Sequence, residues 1–343
     1  MRKIWLILVV IAALFLVAGC TNKYATSGKI AMKSKNYEKA IHDFNLALEA
    51  DSTNPEAHYL LGDAYKNKSD YDAMNKHYDA ASRLSPKYND DIKNVRDSLW
   101  GAFWTSGTEK AKQQKYPEAL ADFQVAIKVL PTRYEAYTNA GYAFQNMVAT
   151  DSTYLDSAYT YYQRALDLDR TNVNVLLNFG YLAYNLGKLQ QADSMFIAVL
   201  ERDPQNIDAL TRRGEIADQL ERYEEAATFY NKALEIDPSL NNVWFNLGVV
   251  YFQRLKKLED AELAFSRAVD LLPSDLNAQI NLNVVLITNG KLDDAVSRLT
   301  TFTTAYPDEC VGWDLLSQAL IRKGLKKEAL EADKKYKDCS AKR

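Results

Sequence analysis

Apolar residues recur along this chain at three- and four-residue spacings, in segments of about a dozen residues parted by short polar breaks. Residues 241–273 show the pattern most clearly. Trp244, Leu247, Gly248 and Tyr251 fall on one segment, Ala261, Phe265 and Ala268 on the next, and Pro273 closes the stretch. The spacing predicts two amphipathic helices that face each other. Such a pair cannot bury its apolar faces alone and needs a neighbour on each side. The same spelling recurs before and after it.

Small-residue landmarks divide the chain beyond residue 20 into nine units: 21–54, 55–88, 100–133, 134–172, 173–206, 207–240, 241–275, 276–309 and 310–343. The first is degenerate but keeps Gly28, Phe44 and Ala47; the sixth is regular, with Gly214, Ala226, Tyr230, Ala233 and Pro238. A 34-residue period with a small residue in the first helix, Ala and an aromatic in the second, and a closing Pro resembles the tetratricopeptide repeat. The resemblance implies an all-α fold, an α-solenoid of about nine helix-turn-helix repeats wound as a right-handed superhelix. Small residues let two helices approach, and aromatics fill the space between consecutive pairs. Pro in Asp203-Pro204 and Asp237-Pro238 stops a helix, since it lacks an N–H and disfavours helix before it.

Three departures from the period change the picture. In residues 89–99, Ile92, Val95 and Leu99 keep helical spacing with Phe103, which predicts a lengthened first helix in the third unit, from about Asn89 to Gln114. About five extra residues near 149–153 have loop composition. One extra residue near 256–258 has no evident meaning. The ninth unit reads as a polar cap: Asp333 replaces the aromatic, and Lys326, Lys327, Lys334, Lys335 and Lys337 wet its far side.

The first twenty residues stand apart. Arg2 and Lys3 precede an apolar run over 4–18, too short to span a bilayer as a helix but suited to a secretory signal. Its end, Val17-Ala18-Gly19-Cys20, resembles the lipobox of bacterial lipoproteins. The resemblance implies a signal peptide over 1–19, acyl chains on Cys20, a short tether over 20–24, repeats over 25–88, a helical insert over 89–99 and further repeats over 100–343. Thr21 after the Cys points to the outer membrane, and no acidic cluster comes after it to mark surface export, so a periplasm-facing array is expected. Loss of Arg2 and Lys3 takes the formal net charge from −3 to −5. A chain this mildly acidic lacks an electrostatic footprint for nucleic acid.

Candidate chemistry is sparse. His42, His58 and His77 fall in no metal-ligand spacing, and phosphate loops, nucleophile elbows and C-x-x-C pairs are missing from the sequence. No enzyme activity, metal or cofactor is expected. With Cys20 acylated, Cys310 and Cys339 remain, an even number at the two ends of one helical pair, where antiparallel packing brings a disulfide within reach.

Function then rests on surface. In tetratricopeptide repeats the first helix of each unit lines a concave groove at its second, fifth, ninth, twelfth and thirteenth places. Carried onto this chain, those places hold Tyr59, Trp104, Tyr142, Gln145, Asn146, Tyr181, Tyr184, Asn185, Phe245, Phe252 and Gln253. An aromatic, amide-rich groove suits a peptide or helix of a protein partner, although some of these rings can equally pack between neighbouring helices. The fifth places hold Tyr59, Trp104, Thr138, Leu177, Thr211, Phe245, Ile280 and Asp314; no Lys stands there, so the clamp for chaperone carboxylate tails is absent. The expectation is a membrane-anchored envelope scaffold, pilotin-like or an adaptor for outer-membrane biogenesis or peptidoglycan enzymes. The alternative is a surface glycan-binding lipoprotein of a nutrient-uptake system.

Overall fold

The computed structural model describes residues 23–148 and 153–342. The expected signal peptide, Cys20 and residues 149–152 of the expected loop lie outside the described residues. The chain falls into two compact units, Met1–Asn178 and Phe179–Arg343. All described regular structure is helical. No described helix is long and apolar enough to cross a membrane.

The first unit contains α1 (23–33), α2 (Tyr37–Ala50), α3 (Pro55–Asn67), α4 (Tyr71–Leu84), α5 (Asn89–Lys112), α6 (Tyr116–Val129), α7 (Tyr134–Met147) and α8 (Tyr154–Leu168). Helix α1 is already formed at Lys23, two residues inside the expected tether. Residues 89–99 are the opening turns of α5, which ends two residues before the expected Gln114. The unit boundary falls within α9 (Val173–Asn185). The second unit continues with α10 (Leu189–Leu200), α11 (Ile207–Gln219), α12 (Tyr223–Ile236), α13 (Asn241–Val249), α14 (Leu258–Leu271), α15 (Leu276–Thr288), α16 (Leu292–Ala305), α17 (Cys310–Lys323) and α18 (Lys326–Ser340).

Seven of the nine described pairs, all but the last two, are closed by a glycine on the first helix that receives an aromatic ring from the second. A Cβ built on Gly62 would meet the Tyr78 ring at 2.5 Å, and one on Gly214 would meet Tyr230 at 2.6 Å. Real Cβ atoms do not approach so closely, so the ring occupies the space a side chain would need. Tyr78, Phe123, Phe196 and Phe265 are fully buried there, with Ala119, Ala192, Ala226 and Ala261 beside them. In the eighth repeat the bulk is exchanged: Asn283 stands at the glycine place, and Leu299 replaces the ring.

Among the described residues, every first helix but α7 closes on a left-handed residue, including Ser69, Glu221, Gly290 and Gly324. The next N–H then bonds a carbonyl five residues back, as Asp70 to Tyr65 (3.0 Å), Arg222 to Ala217 (2.8 Å) and Lys291 to Leu286 (2.9 Å). This 6→1 closure satisfies carbonyls that a helix end leaves open. In the seventh repeat the closing bond runs from Lys257 to Tyr251, six residues back, at 2.9 Å. The extra residue, placed near 256–258 by the sequence, lies earlier in the chain. It is absorbed in a π-helical turn over Val250–Arg254, which continues α13.

Two further contacts tie helices within a pair. His58 Nε2 lies 3.2 Å from the Ser52 carbonyl, which can only accept, so Nε2 carries the proton. His58 Nδ1 then accepts from His77 Nδ1–H at 3.0 Å. The His77 ring stacks on Tyr65, and burial, with His58 and Lys76 adding to it, lowers its pKa to about 4. At the far end, Cys310 and Cys339 form a disulfide with Cα atoms 5.6 Å apart, joining the start of α17 to the end of α18. The ninth repeat is less polar than expected, because Ile321, Leu325 and Leu330 are exposed among its lysines.

This packing makes three outcomes measurable. Gly214→Ala should cost about 1–3 kcal/mol by overpacking against Tyr230, read as a lower urea midpoint. Cys339→Ser should lose up to about 3–4 kcal/mol by the chain-entropy relation for a loop of 29 residues, read as earlier exchange of the α17 and α18 amides. His77 has a folded pKa below its ordinary 6.5, so folding favours the neutral ring. Its contribution is whole above pH 6.5 and is lost as pH falls toward about 4. The stability difference between wild type and His77→Gln should narrow over that interval.

Candidate functional site

In the first unit the expected groove residues are largely committed to packing. Tyr59 is half-buried, stacking on Tyr88 at 4.8 Å and Tyr78 at 5.9 Å. Burial, with Asp63 and Asp91 nearby, pushes its pKa up to about 12. Trp104 stacks on Trp100 at 5.5 Å, and both indole nitrogens are buried without a hydrogen-bond partner. The expectation that Trp104 lines an open groove is thus corrected: it belongs to the seam between pairs, beside the lengthened α5. Gln145 Oε1 accepts from the Tyr162 hydroxyl at 3.1 Å, holding the ring that fills the glycine gap. Tyr142 is exposed and meets Tyr116 edge-on, and Asn146 Nδ2 donates to the Tyr142 carbonyl at 2.8 Å.

The second unit presents a more open polar surface on the first helices α9, α11 and α13. Tyr181 and Tyr184 are half-buried one turn apart on α9. The Arg212 guanidinium lies over both rings, 5.2 Å and 5.4 Å from their centres, within cation–π range. Arg212 Nη1 also pairs with Glu215 at 2.5 Å, and Gln219 Nε2 donates to the Tyr184 hydroxyl at 2.7 Å. Burial raises the pKa of both tyrosines, with Asp208 acting on Tyr181 and Glu215 on Tyr184. Both hydroxyls stay protonated near neutral pH. Beside them a cavity of about 260 Å³ is lined by Tyr184, Glu215, Asp218, Gln219, Tyr230, Asn246 and Val249. It offers two amides, two carboxylates and two tyrosines around a small apolar patch.

Among the expected residues, Tyr184 lines this cavity, Tyr181 is joined to it through Arg212, and Asn185 is exposed at the end of α9. Phe245 and Phe252 do not belong to it. Phe245 meets Phe265 edge-on at 5.7 Å, and both phenylalanines pack on the core of the last repeats. The π-helical turn explains part of the error, because counting along a regular helix fails beyond Tyr251. Counted back from left-handed Lys256, the thirteenth place is Arg254 and not Gln253. Arg254 reaches Asp218 at 3.4 Å, whereas Gln253 is simply exposed. Arg212 and Asn246 were missed because both stand at a sixth place, outside the family's groove positions. Among the described residues no group of three or more His, Cys, Asp or Glu is placed to hold a metal ion.

Comparison with known proteins places these helices. Tetratricopeptide-repeat families match residues 28–69, 55–88 and 177–241. The Hsp70-Hsp90 organizing protein of Triticum aestivum is 29% identical over 151 residues, which are 44% of this chain and 22% of that protein. Hsp70-Hsp90 organizing protein 1 of Arabidopsis thaliana is 31% identical over 129 residues, 38% of this chain and 19% of that protein. The chain thus spans about a fifth of the length of these curated relatives. Among solved structures, pilF of Pseudomonas aeruginosa superposes with a TM-score of 0.53 at 15% identity, over 65% of this chain and 99% of that one. A tetratricopeptide repeat protein from Parabacteroides merdae gives 0.50 at 18% identity, over 71% and 93%. The glycine–aromatic seam, the left-handed helix ends and the all-helical pairs agree with these matches, and the chain is an array of tetratricopeptide repeats.

Proposed function

We propose that this chain is a non-catalytic adaptor of a bacterial cell envelope that binds segments of partner proteins on its first-helix face. The α9–α11–α13 surface carries the reading. The Asn246 and Gln219 amides can bond an extended backbone, Tyr184 supplies contact area, and Glu215 and Asp218 favour a cationic side chain in the cavity. The relatives named as Hsp70-Hsp90 organizing proteins support partner binding as the general role. With no lysine at any fifth place, recognition of a free carboxylate tail is not carried over.

Attachment is assigned to acylated Cys20 at the outer membrane, facing the periplasm. The Val17-Ala18-Gly19-Cys20 run supports it, and the Cys310–Cys339 disulfide suits an oxidising compartment. Within that setting the array acts as a pilotin-like factor, or as an adaptor for outer-membrane biogenesis or peptidoglycan enzymes. A photo-crosslinking amino acid at Tyr184, compared with one at Ile197 on α10, tests the binding face in cells. Protein adducts specific to Tyr184 and reduced by Asn246→Ala are expected, together with release of Cys20→Ala from membranes. Equal adducts at both positions would remove the first-helix face from consideration.

A further inference from the structure

The last helical pair leaves open a seat that the preceding pair has filled. Helix α17 packs against both α15 and α16, laying Leu315, Leu316, Ala319 and Leu320 on their shared core. One repeat later the corresponding surface is bare. Ile287 on α15 is 5% exposed, and its counterpart 34 residues on, Ile321, is 62% exposed. Val296 on α16 packs against the core, whereas its counterpart Leu330 is 70% exposed. Between α17 and α18 these residues border a hollow of about 440 Å³, lined by Ser317, Ile321, Lys326, Ala329, Leu330 and Asp333. No described residue covers it.

The seat is already shaped. The disulfide clamps one end of the α17–α18 pair, and the left-handed Gly324 closes the other with a 2.9 Å bond from Leu325 to Leu320. Ser317 Oγ donates across the pair to the Ala329 carbonyl at 3.1 Å. A rigid seat loses little entropy when it is filled. Lys326 lines the hollow with Asp333, whose charge is met by Lys337, and Lys327 and Lys334 stand one turn either side of Leu330. These three lysines, Lys326, Lys327 and Lys334, are exposed and take part in no ion pair among the described residues, which leaves the rim cationic.

We propose that this seat docks one amphipathic helix of a partner protein, with an apolar stripe over Ile321 and Leu330 and acidic residues flanking the stripe. The repeat geometry specifies a helix, since a helix fills the corresponding position one repeat earlier. The lysine rim specifies its charge. A second copy of this chain docking by the same face would set the lysine rims against each other, which disfavours that occupant. The seat is separate from the α9–α11–α13 face, and the inference does not rest on binding there.

The test uses full-length protein in detergent and two fluorescein-labelled 18-residue helical peptides. Both carry a Leu/Ala stripe; one has Glu at the remaining positions and the other Lys. Fluorescence anisotropy should show the Glu peptide binding at least tenfold tighter than the Lys peptide, with affinity falling as salt rises. Leu330→Glu, at an exposed position that leaves folding intact by circular dichroism, should abolish binding, and Lys334→Glu should weaken it severalfold. Tyr184→Ala should leave it unchanged. Equal affinity for the two peptides, full binding by Leu330→Glu, or loss of binding in Tyr184→Ala would each overturn the proposal. So would self-association of the wild type that disappears in Leu330→Glu, because a second copy would then be the occupant.

Discussion

A helix with one apolar face gains little by folding alone, and within each unit that face is covered mainly by adjoining helices. The contact that makes the pairing specific is the approach of an aromatic ring to a glycine Cα, as Tyr230 over Gly214 or Phe265 over Gly248. Burying a ring there removes a large apolar area from water and requires the opposing helix to lack a side chain. Alanines on the second helix permit the same closeness from the other side. Where the glycine is lost, at Asn283, the ring is lost too, and Leu299 restores the fit. The exchange has a cost at Asn283, which is buried with its Nδ2 bonded to Gln279 and its Oδ1 left without a partner.

Because the pairs are so regular, small irregularities carry much of the individuality. Three added turns at the start of α5 bring Ile92 and Trp100 into the core of the first unit, with Tyr71, Tyr88 and Trp104 around them. That cluster consumes aromatic area that the repeat pattern assigns to a groove. The single residue absorbed at Val250–Arg254 rotates the end of the helix, so Arg254 rather than Gln253 faces α11. In both places local packing was satisfied at the expense of the repeat's numbering. The polar face on α9, α11 and α13 survives because Arg212, Glu215, Asp218 and Gln219 are engaged by neighbouring side chains while leaving a cavity beside them.

The last described pair differs from those in the middle, since one of its faces has no neighbour among the described residues. Here the solution is mixed. Lysines on α18 solvate part of the face, and Asp333 takes the place where other repeats put a ring. Ile321 and Leu330 nonetheless keep the apolar character of internal positions. A disulfide across the pair stabilises it in place of the missing packing. A terminal repeat with those properties is held folded while remaining open.

The sequence by itself determined the helical class, the boundaries of most pairs and the residues of the seam, because each rests on short-range periodicity and on residue sizes. Gly62 with Tyr78, or Gly214 with Tyr230, can be matched by counting. It also marked Cys310 and Cys339 as ends of one antiparallel pair. Tertiary structure alone decided which groove-place side chains are free. Tyr59, Trp104, Phe245 and Phe252 stand at groove places just as Tyr184 does, and only their neighbours show that they are packed. The same holds for the π-helical turn, since an added residue can enter a helix or a loop with similar local energy and the surrounding helices choose between them. Arg212 over two tyrosines and the open seat at Ile321 and Leu330 depend on residues brought together from different helices, which no spacing along the chain encodes.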